Sequence, residues 1–120
     1  MIEQQTARLF AKEWIAAWNS HNLERILGHY TDDITMETPM ALKLVPETGG
    51  IVKGKEAIRA YWEIGLEKIP GLFFELHEVL TSINGVTLYY TNRATGRRTA
   101  EVLFLSEAGK VYKAYAFYSA

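Results

Sequence analysis

The sequence contains no cysteine, so neither a disulfide framework nor a thiolate nucleophile can be part of this protein. Its three histidines are scattered along the chain and cannot form a zinc cluster by themselves. We therefore expect no metal and no cofactor. The lack of cysteine is also compatible with a reducing compartment.

Long apolar runs and an excess of one charge are missing as well. No run of about 18 apolar residues occurs, and the N-terminus has no basic segment followed by an apolar one. The formal net charge is −1, so the chain lacks the positive field that nucleic acid or an anionic membrane surface attracts. We expect a cytoplasmic protein that binds neither nucleic acid nor membranes.

What is present is enough for one folded unit. A chain of 120 residues with 48% hydrophobic and 22% charged residues can bury a core of its own. No tract rich in proline, serine or glycine divides it. The sequence predicts a single domain over residues 1–120.

The first half of the chain has the periodicity of helices. Phe10, Trp14 and Trp18 recur at helical spacing and predict a helix that ends near residues 19–20. Asn22 is a suitable N-cap for a second, short helix. A third apolar stripe predicts a helix over residues 55–68, which Pro70 and Gly71 end.

Alternation with period two predicts the strands. The first runs over residues 34–40, with Ile34, Met36, Thr38 and Met40 on one face, and residues 41–50 are interpreted as a loop. Four further segments are rich in β-branched and aromatic residues and predict an antiparallel meander: Leu72–Ser82, Val86–Thr91, Thr99–Leu105 and Val111–Tyr118. Helices followed by strands indicate an α+β fold.

Several strands are apolar on both faces. In the segment from residue 100 to 105, Val102 and Phe104 are as apolar as Leu103 and Leu105 on the opposite face. One face can pack on the helices, and the other needs a separate cover. We therefore expect a homodimer through the sheet, with Phe117 on the dimer side.

Three short motifs carry a resemblance to a known family. They are the corner Tyr30-Thr31-Asp32-Asp33, the helix entry at residues 52–58 and the hairpin at residues 107–111. In this order and spacing they resemble the NTF2-like superfamily, and most closely its SnoaL-like family. The resemblance implies a cone: a curved antiparallel sheet around an apolar pocket, closed by the helices.

The superfamily includes isomerases, cyclases, dehydratases, hydrolases and non-catalytic binding domains, so the fold does not name a reaction. Similarity to ketosteroid isomerase places Thr38 where that enzyme has its basic aspartate, and Trp14 where it has the oxyanion-hole tyrosine. Trp62 falls at a supporting tyrosine, and Glu101 at the protonated aspartate. Threonine cannot collect a proton at neutral pH without a strong base beside it. We therefore expect no steroid isomerisation by that mechanism.

Glu101 is the strongest catalytic candidate. If its side chain points inward, burial raises its pKa and makes it a hydrogen-bond donor or a general acid near neutral pH. The alternative is an ion pair with Arg93 or Arg98 across the sheet. Tyr30 is the second candidate, as a hydrogen-bond partner of the ligand; its alternative role is to anchor the helix corner.

The cone interior should be lined by residues from both halves of the chain. The predicted pocket residues are Trp14, Trp18, Met36, Thr38, Met40, Trp62, Leu66, Leu103, Ala114, Ala116 and Tyr118. An aromatic stripe of this kind can equally be plain core. The sequence thus predicts a binding site for a small hydrophobic molecule, with cofactor-free isomerisation, cyclisation or hydration as its hypothetical chemistry. The alternative is a non-catalytic dimerisation or protein-interaction module.

Overall fold

A computed structural model describes all 120 residues, as four helices on a six-stranded curved sheet. The helices are α1 (Gln4–Ser20), α2 (Leu23–Leu27), α3 (Pro39–Leu44) and α4 (Lys55–Lys68), and a short 3₁₀ turn spans Pro46–Thr48. The strands are β1 (Tyr30–Glu37), β2 (Ile51–Lys53), β3 (Phe74–Thr81), β4 (Gly85–Asn92), β5 (Arg98–Leu105) and β6 (Val111–Tyr118). No helix has both the length and the apolar character needed to cross a bilayer.

The α+β prediction is confirmed, and its helices follow from local sequence. In α1 the stripe that includes Trp14 and Trp18 is buried. Asn22 caps α2, where its side-chain oxygen accepts a hydrogen bond from the backbone N–H of Arg25 at 3.1 Å. The third predicted helix, α4 in the structure, has the predicted bounds. The buried face of a helix can be predicted from sequence because it is defined by apolar residues three and four positions apart.

The sheet order is β2-β1-β6-β5-β4-β3. Strands β3 to β6 form the predicted antiparallel meander, and β2 pairs antiparallel with β1. The prediction of a wholly antiparallel sheet was wrong at one place, because β1 lies parallel to β6. Alternation along a strand fixes which face is buried but not the direction of a distant partner.

The predicted loop over residues 41–50 was also wrong in part, because it contains most of α3. The Thr38 hydroxyl accepts a hydrogen bond from the N–H of Met40 at 3.2 Å, and Pro39 occupies the first turn. A threonine cap followed by proline is a helix-start signal. Strand β1 therefore ends at Glu37, and Met40 belongs to the helix.

The register of the last three strands decides which side chains meet on the inner face. In β4 and β5, Tyr90 is opposite Thr99 and Leu88 is opposite Glu101. In β5 and β6, Glu101 is opposite Ala116. Since alternate residues share a face, Tyr90, Thr99, Glu101 and Ala116 converge on the side that carries the helices.

Candidate functional site

A cavity of about 440 Å³ lies between the inner face of the sheet and helices α1, α3 and α4. Small-molecule sites generally enclose roughly 300–1,000 Å³, so the space is sufficient for an organic ligand. Of its 23 lining residues 14 are hydrophobic, which suits a ligand with a largely apolar body.

Most of the predicted pocket residues line this cavity. They are Trp14, Trp18, Met36, Thr38, Met40, Trp62, Leu66, Ala116 and Tyr118. Leu103 and Ala114 do not line it, although they share the inner face. The cavity ends at the Glu101–Ala116 pair, and the Leu103–Ala114 pair is the next one along β5 and β6, where both side chains are sealed in the core.

Glu101 lines the cavity and is 6% exposed. Its Oε1 accepts a hydrogen bond from the Tyr90 hydroxyl at 2.8 Å. The other oxygen, Oε2, has no partner in the chain. Among the side-chain nitrogen and oxygen atoms that have no solvent-accessible surface, only Trp18 Nε1 lacks a hydrogen-bond partner. Because Glu101 Oε2 also lacks a partner, it must have accessible surface, and we assign that surface to the cavity.

The predicted alternative for Glu101, an ion pair with arginine, does not occur. Arg93 instead pairs with Glu75, with 2.7 Å between Nη2 and Oε2. Arg98 donates a hydrogen bond to the Tyr89 hydroxyl at 3.2 Å. Neither guanidinium reaches Glu101, because Arg93 follows the end of β4 and Arg98 is exposed on β5. The carboxyl group therefore has a phenol as its partner and no cation.

Burial raises the pKa of the Glu101 carboxyl from its usual 4.5 to about 7, while the hydrogen bond from Tyr90 acts in the opposite direction. A carboxylate is costly in an apolar environment unless a cation or several donors stabilise it. Near neutral pH this group therefore exists as both carboxylic acid and carboxylate. A group in that state can donate a proton or accept one.

Two tyrosine hydroxyls lie near this carboxyl group, and that of Tyr90 donates a hydrogen bond to it. Burial and the nearby Glu101 raise the pKa of Tyr118 to about 12, and they raise the pKa of Tyr90 well above its ordinary value. Both phenols therefore keep their protons at neutral pH. The Tyr118 hydroxyl lies 3.1 Å from Thr38 Oγ1. These groups can offer hydrogen bonds but cannot act as bases.

The sequence profile of the SnoaL-like domain matches residues 11–114, most of the chain. The protein belongs to the SnoaL-like family. A SnoaL-like protein of unknown function from Burkholderia thailandensis is 39% identical, and the alignment covers 99% of this chain and 98% of that one with a TM-score of 0.93. No curated protein matches the sequence significantly.

More distant structures share the fold. A candidate isomerase of the SnoaL-like family from Agrobacterium tumefaciens has a TM-score of 0.77 at 18% identity, and the alignment covers 98% of this chain and 100% of that one. The protein TerC, co-crystallised with polyporic acid, has a TM-score of 0.75 at 14% identity over 94% of this chain and 91% of that one. At such identities the similarity concerns the fold alone.

In this SnoaL-like protein Tyr30 lies outside the cavity lining. Its side chain is 2% exposed, and its hydroxyl accepts a hydrogen bond from Trp14 Nε1 at 2.9 Å. Sequence reasoning chose Tyr30 as the partner of a ligand, but Tyr90 is the tyrosine that contacts Glu101. The signal for Tyr90 was the hairpin register, which places it diagonally across from Glu101 on the same face.

Other lining residues were not predicted. Tyr61, Thr99 and Phe74 contribute to the wall, as do Lys43, Lys68 and Arg97 at positions that are exposed to solvent. Tyr61 belongs to the predicted stripe of α4, and that stripe gave no indication that the residue borders a cavity. No three histidine, aspartate or glutamate side chains lie close enough together to hold a metal ion.

Proposed function

We propose that this SnoaL-like protein binds a small, largely hydrophobic molecule in its cavity and that Glu101 exchanges a proton with it. One observation carries the proposal. Glu101 is the only carboxyl group among the lining residues, and its Oε2 has no partner in the chain. An apolar pocket with a few convergent polar groups and a carboxyl of shifted pKa is the usual form of a binding or active site.

Among isomerisation, cyclisation and hydration, a single carboxyl group fits isomerisation best. The suitable ligand is a ketone with a C=C bond on the far side of the CH₂ group next to its carbonyl. As a carboxylate, Glu101 removes a proton from that CH₂ group, and the electron pair of the C–H bond forms a conjugated dienolate. The protonated Glu101 then returns the proton to the far carbon of the former C=C bond, so the double bond moves next to the carbonyl and the carbonyl re-forms. No proton is gained or lost overall, so the step needs neither a cofactor nor a second base. The Tyr118 hydroxyl is a neutral donor for the transient oxygen anion.

Two similar folds provide chemical precedents: the candidate isomerase from Agrobacterium tumefaciens, and TerC with polyporic acid. The first suggests a rearrangement of a single substrate, and the second a small organic ligand. Both are too distant in sequence to assign a substrate. The proposal therefore rests on Glu101 and the cavity around it.

Filling the cavity should weaken the binding of a hydrophobic ligand. Gly65 lines it, and a Cβ added there would meet only the Leu44 Cδ1, at 4.0 Å. We expect Gly65→Phe to weaken the binding of the uncharged fluorescent probe N-phenyl-naphthylamine by at least about tenfold, because the ring occupies the space of the ligand. The measurement is a fluorescence titration.

Gly65→Ala is the matched control. It leaves the cavity open and removes a glycine from the interior of α4, which stabilises a helix by roughly 0.5–1 kcal/mol. It should therefore bind the probe like the wild type. Equal binding by Gly65→Phe would show that the probe occupies another place and would remove the main support for the cavity as the ligand site.

We also propose a homodimer through the outer face of the sheet. Strands β5 and β6 are the two central strands, and their outer residues form an apolar patch. The patch consists of Ala100, Val102, Phe104, Tyr115 and Phe117, none of which is buried. Phe117 is 61% exposed. The same outer face also carries Lys113, which is opposite Phe104, and Arg98 at the start of β5, so the apolar patch is bordered by two cations. A second copy of the same patch is its natural cover, because a two-fold axis brings identical surfaces together.

A charge in the patch should separate the copies. We expect the wild type to be a dimer at tens of micromolar, and Phe117→Glu to raise the dissociation constant by at least about tenfold, because each copy would have to bury a carboxylate in an apolar contact. Light scattering measures the mass. Leu9→Glu is the control, because Leu9 is 59% exposed on α1, away from the outer face of the sheet, and this variant should remain a dimer. A monomeric wild type would contradict the proposal.

A further inference from the structure

The solvent-exposed residues of the cavity lining, which form its mouth, include three cations and no anion. Lys43 belongs to α3, Lys68 to the last turn of α4, and Arg97 to the turn between β4 and β5. All three line the cavity, although their residues are exposed. None of them makes an ion pair, so their charges are not neutralised within the chain.

This local excess differs from the protein as a whole. The chain has 13 lysines and arginines against 14 aspartates and glutamates. On the cavity wall the balance is three cations to one carboxyl, and that carboxyl, Glu101, is buried away from solvent. The lining therefore has a local excess of positive charge at its exposed residues, and a concave apolar wall strengthens the potential of such an excess.

Helix geometry accounts for part of the arrangement. Lys43 and Lys68 stand in the last turns of their helices, where a cation is stabilised by the helix dipole. That explanation does not extend to Arg97, because it lies in a turn between strands.

Arg97 is held in place by the chain. Its Nε and Nη2 donate hydrogen bonds to the Ser119 carbonyl at 3.4 and 3.2 Å, and its guanidinium lies 5.3 Å from the centre of the Tyr118 ring. Ser119 is fixed in turn, since its N–H donates to the Arg98 carbonyl at 2.8 Å and its hydroxyl accepts from the Arg98 N–H at 3.0 Å. Arg97 Nη1 has no partner in the chain. A guanidinium fixed in this way loses little conformational freedom when it binds an anion.

We propose that the ligand is an organic anion, with its apolar body in the cavity and its acidic group bound at the mouth by Arg97, while Lys43 and Lys68 add attraction. This inference rests on the proposed function and specifies its substrate class. The ligand then has two unlike ends. A carboxylate, sulfonate or phenolate meets the guanidinium, and a neutral hydrogen-bonding end reaches Glu101.

Two probes with the same ring system test the charge directly. Anilinonaphthalene sulfonate carries the anion, and N-phenyl-naphthylamine lacks it. We expect the wild type to bind the sulfonate more tightly than the uncharged probe. Arg97→Gln should lower the affinity for the sulfonate by about five- to tenfold and change the affinity for the uncharged probe by less than about twofold. Raising NaCl from about 20 to about 300 mM should weaken only the sulfonate.

Matched variants separate a local effect from a change in net charge. Arg8→Gln removes one positive charge from the exposed face of α1, where Arg8 makes no hydrogen bond or ion pair, and should leave both probes unchanged. Lys43→Gln with Lys68→Gln should weaken the sulfonate by about threefold. Lys12→Gln with Lys53→Gln, two exposed lysines outside the cavity lining, should not.

The outcomes distinguish the two proposals. Failure of both probes to bind would refute the hydrophobic-ligand site itself. Binding of the uncharged probe without a preference for the sulfonate would leave that site in place and refute the anionic ligand. The same conclusion follows if Arg97→Gln and Arg8→Gln affect the sulfonate equally.

Discussion

Replacing Glu101 with glutamine should stabilise the protein at alkaline pH and leave its stability nearly unchanged near pH 4.5. In the folded state the pKa of Glu101 is about 7, against an ordinary value of 4.5. Between these two values the folded protein holds a proton that the unfolded chain has released. The free energy of unfolding therefore falls as pH rises through this window, and it levels off above the folded pKa.

The size of the effect follows from the size of the shift. Each pKa unit corresponds to about 1.4 kcal/mol, so the loss across the window is on the order of 3 kcal/mol. Glutamine has no charge to bury, and it keeps an oxygen that can accept the hydrogen bond from the Tyr90 hydroxyl. Above pH 8 the free energy of unfolding of the variant should therefore exceed that of the wild type by about 3 kcal/mol.

Urea unfolding at a series of pH values from about 4.5 to about 9 measures the difference. Glu63→Gln is the control, because Glu63 is exposed on α4 and makes no ion pair or side-chain hydrogen bond. Its stability profile should run parallel to that of the wild type. If the Glu101→Gln profile did the same, the carboxyl group would titrate normally, and it would no longer be a candidate for proton exchange near neutral pH.

The parts of the fold that the sequence predicted are those that depend on local order. The stripe that contains Trp14 and Trp18 needs only helical spacing to define a buried face. The hairpins of the meander need only short turns between strands. The motifs at residues 30–33 and 52–58 indicated the family, and the resemblance to that family predicted the curved sheet.

The parts that the sequence missed depend on distant pairing or on empty space. Nothing in β1 alone indicates that it lies parallel to β6, because the two strands are some eighty residues apart and strand direction leaves no trace in an alternating pattern. Glu101 and Leu103 are on the same face of β5, so alternation predicts that both line the cavity. Only the packing of the surrounding side chains ends the cavity between them. A void cannot be read from residue types.

Arg97 and Tyr90 illustrate the same limit at the candidate site. The sequence places Arg97 in a hairpin turn, where solvation is the ordinary expectation, and only the return of β6 brings Ser119 and Tyr118 against it. Tyr90 is different, because the turn after β4 fixes its register with Thr99. Because Thr99 and Glu101 are alternate residues of β5, this register places Tyr90 on the same face as Glu101. The position of Tyr90 can therefore be predicted from the sequence.

Replacing Tyr30 with phenylalanine should destabilise the fold and leave the cavity intact. The change removes the acceptor of the Trp14 Nε1 hydrogen bond, and Trp14 and Tyr30 are 1% and 2% exposed, so bulk water does not reach the donor. A buried donor left without a partner costs about 1–3 kcal/mol. The neighbouring Trp18 offers no compensation, because its indole N–H is a donor and cannot accept a hydrogen bond from Trp14. We expect the free energy of unfolding to fall by this amount.

Urea unfolding and the uncharged probe together test that expectation. Tyr112→Phe is the matched control: Tyr112 is 37% exposed, and its hydroxyl accepts a hydrogen bond from Asn84 that water can replace, so the loss should stay below about 0.5 kcal/mol. Trp14→Phe combined with Tyr30→Phe removes both partners, and the double-mutant cycle isolates their coupling. Tyr30→Phe with wild-type stability and weakened probe binding would reverse the assignment, because the hydroxyl would then act on the ligand and not on Trp14.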